Sequence, residues 1–191
     1  MEPWTPKFLS EKLSLKIPAE AHKTWLTYWK FIKNEEFYKV EKNCPLVIME
    51  TRNNLLFGFK PAYEYPGHLQ PFIHYGEQCD PDVPDSANSN RYIKRIRELL
   101  ESYKIPVDIK VPSILEPCFY TESSDVDYIL DRHPAHKNIV FGTGFSGHGF
   151  KLAPVVGEIL GRMVTGQNSK YPDIEEKLFK LHCFSRGLSK I

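Results

Sequence analysis

The chain has 191 residues, 41% hydrophobic and 26% charged, a balance that suits one globular domain or pieces of two and excludes intrinsic disorder. Its 25 basic and 24 acidic residues leave a net charge of +1, which gives no field to draw in nucleic acid or an anionic membrane. No stretch reaches the roughly 20 apolar residues that span a bilayer, and Met1-Glu2-Pro3-Trp4-Thr5-Pro6 lacks the basic and apolar regions of a secretory signal.

In chain order, Trp4–Ser14 is apolar-rich and Pro18 closes it. Lys23–Ile32, dense in Trp, Thr, Tyr and Phe, predicts a strand on a half-buried pleated surface. Leu46–Glu50 and Leu55–Phe59 predict two more strands, with Thr51-Arg52-Asn53-Asn54 as the hairpin loop between them. Pro61–Gly67 reads as a loop, Phe72-Ile73-His74 as a short strand, and Asp80–Asp85, with two prolines, as a linker. From Asn88 to Tyr103, Tyr92, Ile93, Ile96, Leu99, Leu100 and Tyr103 form an apolar stripe at helical spacing, and Pro106 stops the helix. Its other face, with Lys94, Arg95, Arg97 and Glu98, reads as solvated because acidic and basic residues interleave. Cys118–Thr121, Tyr128–Asp131 and Ile139–Phe141 predict strands, and Leu152–Val164 an amphipathic helix with Pro154 in its first turn. Cys44, Cys79, Cys118 and Cys183 form no CxxC pair, so they read as reduced thiols of a reducing compartment; no metal site is expected.

Gly142-Thr143-Gly144-Phe145-Ser146-Gly147 fits G-x-G-x-x-G between a strand and a helix. A dinucleotide site also needs a second strand about 20 residues on, ending in an acidic residue. Met163–Asn168 is a helix end and a loop, so the pyrophosphate reading is rejected. Glycines in this place still let backbone N–H groups and a positive helix end approach a ligand. Tight packing of loop on sheet accounts for two of the three glycines, but not for His148 and Lys151 in the same turn.

Cys118-Phe119-Tyr120-Thr121, Asp131-Arg132-His133-Pro134 and Gly144-Phe145-Ser146-Gly147-His148-Gly149-Phe150-Lys151-Leu152-Ala153-Pro154 together resemble the C-terminal region of the monomeric sarcosine oxidase and pipecolate oxidase family. The similarity reaches back through His74-Tyr75-Gly76 and Asp80-Pro81-Asp82 to Trp4, more loosely in the first third. It implies a mixed α/β (α+β) fold: the C-terminal half of a two-domain FAD-dependent oxidoreductase, with a mainly antiparallel sheet and flanking helices. The glycine-rich βαβ unit that would hold the ADP part of FAD has no counterpart in these residues. The implied segments are residues 1–20 (end of the FAD domain's middle piece), 21–115 (substrate domain), 116–170 (closing FAD-domain segment) and 171–191 (tail).

Enzymes of this kind carry covalent FAD, oxidise secondary amino acids to imines and reduce oxygen to hydrogen peroxide. Carried over by position, the resemblance implies that Cys118 bonds the flavin as a thiolate, the nucleophilic form. Gly144, Phe145, Ser146, Gly147, His148, Gly149 and Lys151 would line the flavin, and Lys151 would also bind the substrate carboxylate. Tyr120 and His74 would be active-site polar residues. In relatives a lysine that activates oxygen stands four residues before the active-site histidine, and here that place holds neutral Gln70, with Lys60 the nearest lysine upstream. Ser189-Lys190-Ile191 resembles the peroxisomal Ser-Lys-Leu address, which implies an import receptor as partner and a peroxisomal location, with a cytoplasmic one as the alternative. Two competing readings are a catalytically silent fragment and a dehydrogenase that passes electrons to another acceptor.

Overall fold

The computed structural model describes residues 2–39, 42, 44–50, 56–74, 76–83, 89–171, 180 and 181. The predicted hairpin loop 51–54, most of the Asp80–Asp85 linker's second half, Cys183 and the C-terminal tripeptide lie outside these residues. The chain divides into two compact units. One comprises Met1–His22, Gln78–Val83 and Phe119–Ile191; the other comprises Lys23–Glu77 and Pro84–Cys118.

The second unit is built on an antiparallel sheet. Strand β1 (Ala19–Lys30) enters it from the first unit, and β2 (Val47–Glu50), β3 (Leu56–Pro61) and β4 (His68–Ile73) follow. The order β2-β3-β4-β1 is set by Val47↔Phe59, Phe57↔Ile73 and Trp29↔Leu69. β1 pairs in addition with β5 (Glu77–Gln78) and β6 (Ile114–Ser123). Gly58 is required where three strands meet, because a Cβ there would lie 2.3 Å from Phe72 Cζ and 2.5 Å from the Val47 carbonyl oxygen. Helix α2 (Ser89–Ser102) covers one face, burying Tyr92, Ile96 and Leu100 at four-residue spacing against Trp29, Phe57, Leu69 and Ile73.

Two expectations are corrected in this unit. The short strand at 72–74 is six residues long and starts at His68, ahead of Pro71. Pro71 has no N–H to donate, and the β4–β1 pairing stops at Leu69, just before it, so the proline is accommodated where that ladder ends. Arg97 is not a solvated side chain: its Nε donates to the Ile109 carbonyl (2.9 Å) and its Nη2 to the Lys110 carbonyl (2.7 Å), which fastens the segment after α2 to the helix.

In the first unit, helix α1 (Thr5–Leu13) starts with a proline in its first turn and ends at Ser14 in the left-handed conformation, φ 53°. Strands β7 (Ile129–Arg132) and β8 (Val140–Thr143) pair antiparallel, with Leu130 opposite Gly142. Alternation along β7 separates two small cores. Ile129 packs with Leu9, Leu15, Ile17, Ala19 and Phe141, whereas Tyr128 and Leu130 pack with Val156 and Ile159 of helix α3 (Ala153–Thr165). Helix α3 has Pro154 in its first turn, as predicted, and closes at Gly166 with φ 70°. The mixed, mainly antiparallel α/β fold expected from the sequence is present.

Candidate functional site

The loop from β8 into α3 is the densest feature of the first unit. Gly144 (φ 67°), Ser146 (φ 50°) and Gly147 (φ 77°) all take the left-handed conformation, so the chain reverses tightly there. Ser146 is buried and pins the loop to β6: its N–H donates to the Thr121 carbonyl (2.8 Å), and its hydroxyl accepts from the Ser123 N–H (3.3 Å) and donates to the Gly144 carbonyl (3.0 Å). At Gly149 a Cβ would sit 2.6 Å from Phe145 Cβ. Packing and φ therefore account for all three motif glycines, Gly142, Gly144 and Gly147, where two were expected to have structural reasons, and for Gly149 as well.

His148 also has a structural role that the sequence did not disclose. Its Nε2 donates to the Val126 carbonyl (3.0 Å), and its Nδ1 lies 2.9 Å from the Tyr128 hydroxyl. A carbonyl only accepts, so the Nε2 nitrogen carries a proton and, in the neutral ring, Nδ1 accepts from Tyr128. The same hydroxyl is 3.1 Å from the His148 carbonyl, and burial raises the phenol's pKa, which keeps it a donor. Val126 is β-branched with φ 61°, an uncommon and costly conformation that this histidine contact helps to hold.

Beyond the loop the chain runs through a 3-10 turn, Phe150–Leu152, into α3. Neither Gly149 nor Leu152 offers a side-chain cap; the Leu152 N–H donates to the Gly149 carbonyl (3.1 Å), the Ala153 N–H donates to the Phe150 carbonyl, and Pro154 has no N–H, so backbone bonds close the turn into the helix. A cavity of about 480 Å³ opens beside them, walled by Phe145, Ala153 and Val156, with Tyr120 at its edge and Gly147, Gly149 and Gly157 leaving it bare of side chains. A Cβ added at Gly157 would meet nothing within 4 Å. Lys151 is exposed on the 3-10 turn, and among the described residues no acceptor engages its ammonium. Tyr120 is half-buried and donates to Glu122 Oε2 over a long 3.4 Å. The Asp131-Arg132-His133-Pro134 motif is structural: His133 Nε2 donates to the Leu13 carbonyl (3.0 Å) while its Nδ1 accepts the Ala135 and His136 N–H groups.

The second unit holds the remaining candidates. Cys118, half-buried on β6 and not in a disulfide, lies two residues before Tyr120 on the same strand, so both side chains leave one face of it. His74 is exposed just past β4, where its N–H donates to the Leu56 carbonyl (2.9 Å). Gln70 is 6% exposed; its Nε2 donates to the Tyr28 hydroxyl (3.4 Å), and its Oε1 is buried without a hydrogen-bond partner. Directly across the β3–β4 ladder from Gln70 stands Lys60, on the same sheet face, with its Nζ 4.0 Å from the Glu64 carboxylate. The cation that sequence order places ten residues away is thus a cross-strand neighbour. Burial, then the carboxylates of Glu116 and Glu64, push the Tyr28 phenol up to about 12. Among the described residues no cluster of His, Cys, Asp and Glu could hold a metal ion, and no helix is long and apolar enough to cross a membrane.

The chain is 37% identical over 161 residues to the peroxisomal sarcosine oxidase of Mus musculus, covering 83% of this chain and 40% of that protein. It is 31% identical over 176 residues to the monomeric sarcosine oxidase of Bacillus sp. (strain NS-129), covering 86% of this chain and 42% of that one. It therefore spans about two fifths of the length of these curated relatives. The fold resembles the crystal structure of L-proline dehydrogenase from P. horikoshii (TM-score 0.71, 19% identity, 98% of this chain and 46% of the other). It also resembles fructosamine oxidase from Aspergillus fumigatus (TM-score 0.66, 20% identity, 91% and 40%). Residues 2–163 match the family described as FAD dependent oxidoreductase, and the chain belongs to that family.

Proposed function

We propose that the chain is the C-terminal part of a flavoprotein that oxidises N-methyl or cyclic secondary amino acids, of sarcosine or pipecolate type, to imines, with oxygen reduced to hydrogen peroxide. The observation that carries this reading is the Gly144–Lys151 loop. Its sequence follows the sarcosine oxidase pattern, it leads through a 3-10 turn into the start of α3, and it borders an apolar cavity.

These residues fit FAD. Phe145, Ala153 and Val156 offer apolar contact to a flat ring, the glycines leave room for it, and the positive end of the α3 dipole suits a polar ring edge that gains negative charge on reduction. When bound, FAD would accept the two electrons and one hydrogen released as the substrate's CH–NH unit becomes C=N, the second hydrogen leaving as a proton. The chain's own side chains bind and orient. Lys151, a cation at a helix start where the dipole disfavours it, is assigned to the substrate carboxylate. Tyr120 and His74 are assigned to shaping the substrate's surroundings, and Cys118 to covalent attachment of the flavin ring. Lys60, across from Gln70, is assigned the fixed positive charge that favours electron transfer to oxygen. The peroxisomal location and the import receptor rest on Ser189-Lys190-Ile191 and on the likeness to a peroxisomal relative.

The test is to join the chain to the N-terminal part of the mouse relative. The purified chimera is expected to keep its yellow colour after acid precipitation, to show FAD mass on the tryptic peptide of Cys118, and to release peroxide with sarcosine, pipecolate or proline. A folded chimera that binds no flavin would overturn the reading. An adduct on Cys44, Cys79 or Cys183 would overturn the attachment site alone.

A further inference from the structure

Tyr120 belongs to two neighbourhoods of the first unit at once. It is one of the residues lining the apolar cavity beside the glycine loop. Its hydroxyl points the other way along β6, to the carboxylate of Glu122 two residues on, on the same strand face. Glu122 lines a separate cavity of about 480 Å³ together with His22 of β1 and the serines 123 and 124. There its second oxygen, Oε1, is 4.0 Å from His22 Nδ1. That nitrogen is buried and has no hydrogen-bond partner, and the His22 ring lies 5.6 Å from the Tyr120 ring, tilted by 43°. A buried imidazole nitrogen without an acceptor is an unsatisfied group, and the nearest charge that can satisfy it is this carboxylate. The side chains are 16% and 28% exposed, so the pair is shielded from bulk water on most of its surface.

We infer that Glu122 is a positioning residue: it holds the Tyr120 hydroxyl with one oxygen while His22, carrying a proton on Nδ1, steadies the other. The ring of Tyr120 is thereby fixed at the rim of the apolar cavity in one rotamer. A phenol has two torsions and would otherwise turn its hydroxyl toward whatever acceptor entered the cavity. The importance of this for catalysis rests on the flavoprotein reading above, but the contact itself does not.

The contact is tested without flavin or turnover. The full chain is labelled with 3-fluorotyrosine, and its ten tyrosine positions are followed by 19F NMR, with Tyr120 assigned by its loss in Tyr120→Phe. Glu122→Ala is expected to move the Tyr120 resonance toward its position in the urea-unfolded chain. Glu122→Gln, whose amide oxygen still accepts a hydrogen bond, should largely restore it, and His22→Phe should shift it in the same direction as Glu122→Ala. Glu20→Gln, in the same cavity but with no contact to the phenol among the hydrogen bonds and ion pairs described, should leave it unmoved. A Tyr120 resonance unchanged in Glu122→Ala, with the other nine also unchanged, would overturn the inference; if that variant fails to fold, an unchanged resonance in His22→Phe overturns it instead. Absence of flavin from the parent chimera would sink the proposed function and leave this result standing.

Discussion

At the scale of single residues, charge and burial make separate demands. Lys151 projects its ammonium from a 3-10 turn with no partner among the described residues, so a ligand's carboxylate would be its first strong contact. In the chimeric enzyme, Lys151→Met is expected to raise the apparent Michaelis constant for an imino acid by the equivalent of about 1.5–3 kcal/mol, the scale of a charged hydrogen bond, with kcat much less changed. Equal constants for an imino acid and its decarboxylated amine in both enzymes would refute that role. Tyr28 gives a test that needs no flavin. Its phenol is pushed up to about 12 from 10.0, so the folded state holds its proton more tightly than the unfolded state does. The stability this confers is complete below about pH 10 and disappears as pH rises toward 12, because only the unfolded chain releases the proton in that window. Urea midpoints measured from pH 9 to 12 should fall less steeply in Tyr28→Phe than in the parent. The sequence exposed the Gly144–Lys151 run because the residues that define it are contiguous. It hid the partners of His148 and Ser146, which lie about 20 residues away, since hydrogen bonds at that separation leave no periodic trace.

At the scale of elements, periodicity was a good guide wherever one face is buried. Helix α2 was readable because Tyr92, Ile96 and Leu100 recur every fourth residue, and β1 because aromatic and β-branched residues crowd its second half. Its first four residues, Ala19–His22, alternate buried and exposed positions with side chains too small or polar to signal a strand. The length of β4 was concealed by Pro71, whose usual meaning is a strand end; here it ends one ladder and leaves the other intact. Register was beyond reach of pattern reading altogether. Only pairing reveals that Lys60 faces Gln70 and that Gly58 is wedged between Val47 and Phe72. Gly58→Ala is therefore expected to lower the unfolding free energy by about 3 kcal/mol, the upper range for an overpacked core. Gly157→Ala, where a Cβ meets open space inside α3, should stabilise by up to about 1 kcal/mol. Urea denaturation of the two variants side by side checks both signs, and similar values would show that local crowding does not govern either site.

At the scale of the whole molecule, the proposed function makes the choice of electron acceptor depend on the Lys60–Gln70 pair. In the chimera, Lys60→Met should slow reoxidation of the reduced flavin by oxygen at least tenfold, about 1.4 kcal/mol of barrier, with reduction by substrate nearly unchanged. Gln70→Lys should add little while Lys60 remains and should restore the rate in the Lys60→Met background. A large gain from Gln70→Lys alone would show that Lys60 supplies no charge there, and would favour an acceptor other than oxygen.

The chain passes between its two units four times, at 22/23, 77/78, 83/84 and 118/119, so neither unit is a continuous stretch of polypeptide. Leu9, Leu15 and Ile17 find their packing partners Ile129 and Phe141 only after more than 100 intervening residues. On a ribosome adding about 5–20 residues per second, helix α1 waits roughly 5–25 s after its own synthesis for those partners to be made. Throughout that interval helix α1 lacks those apolar partners, which makes Leu9, Leu15 and Ile17 a candidate client site for a chaperone during synthesis.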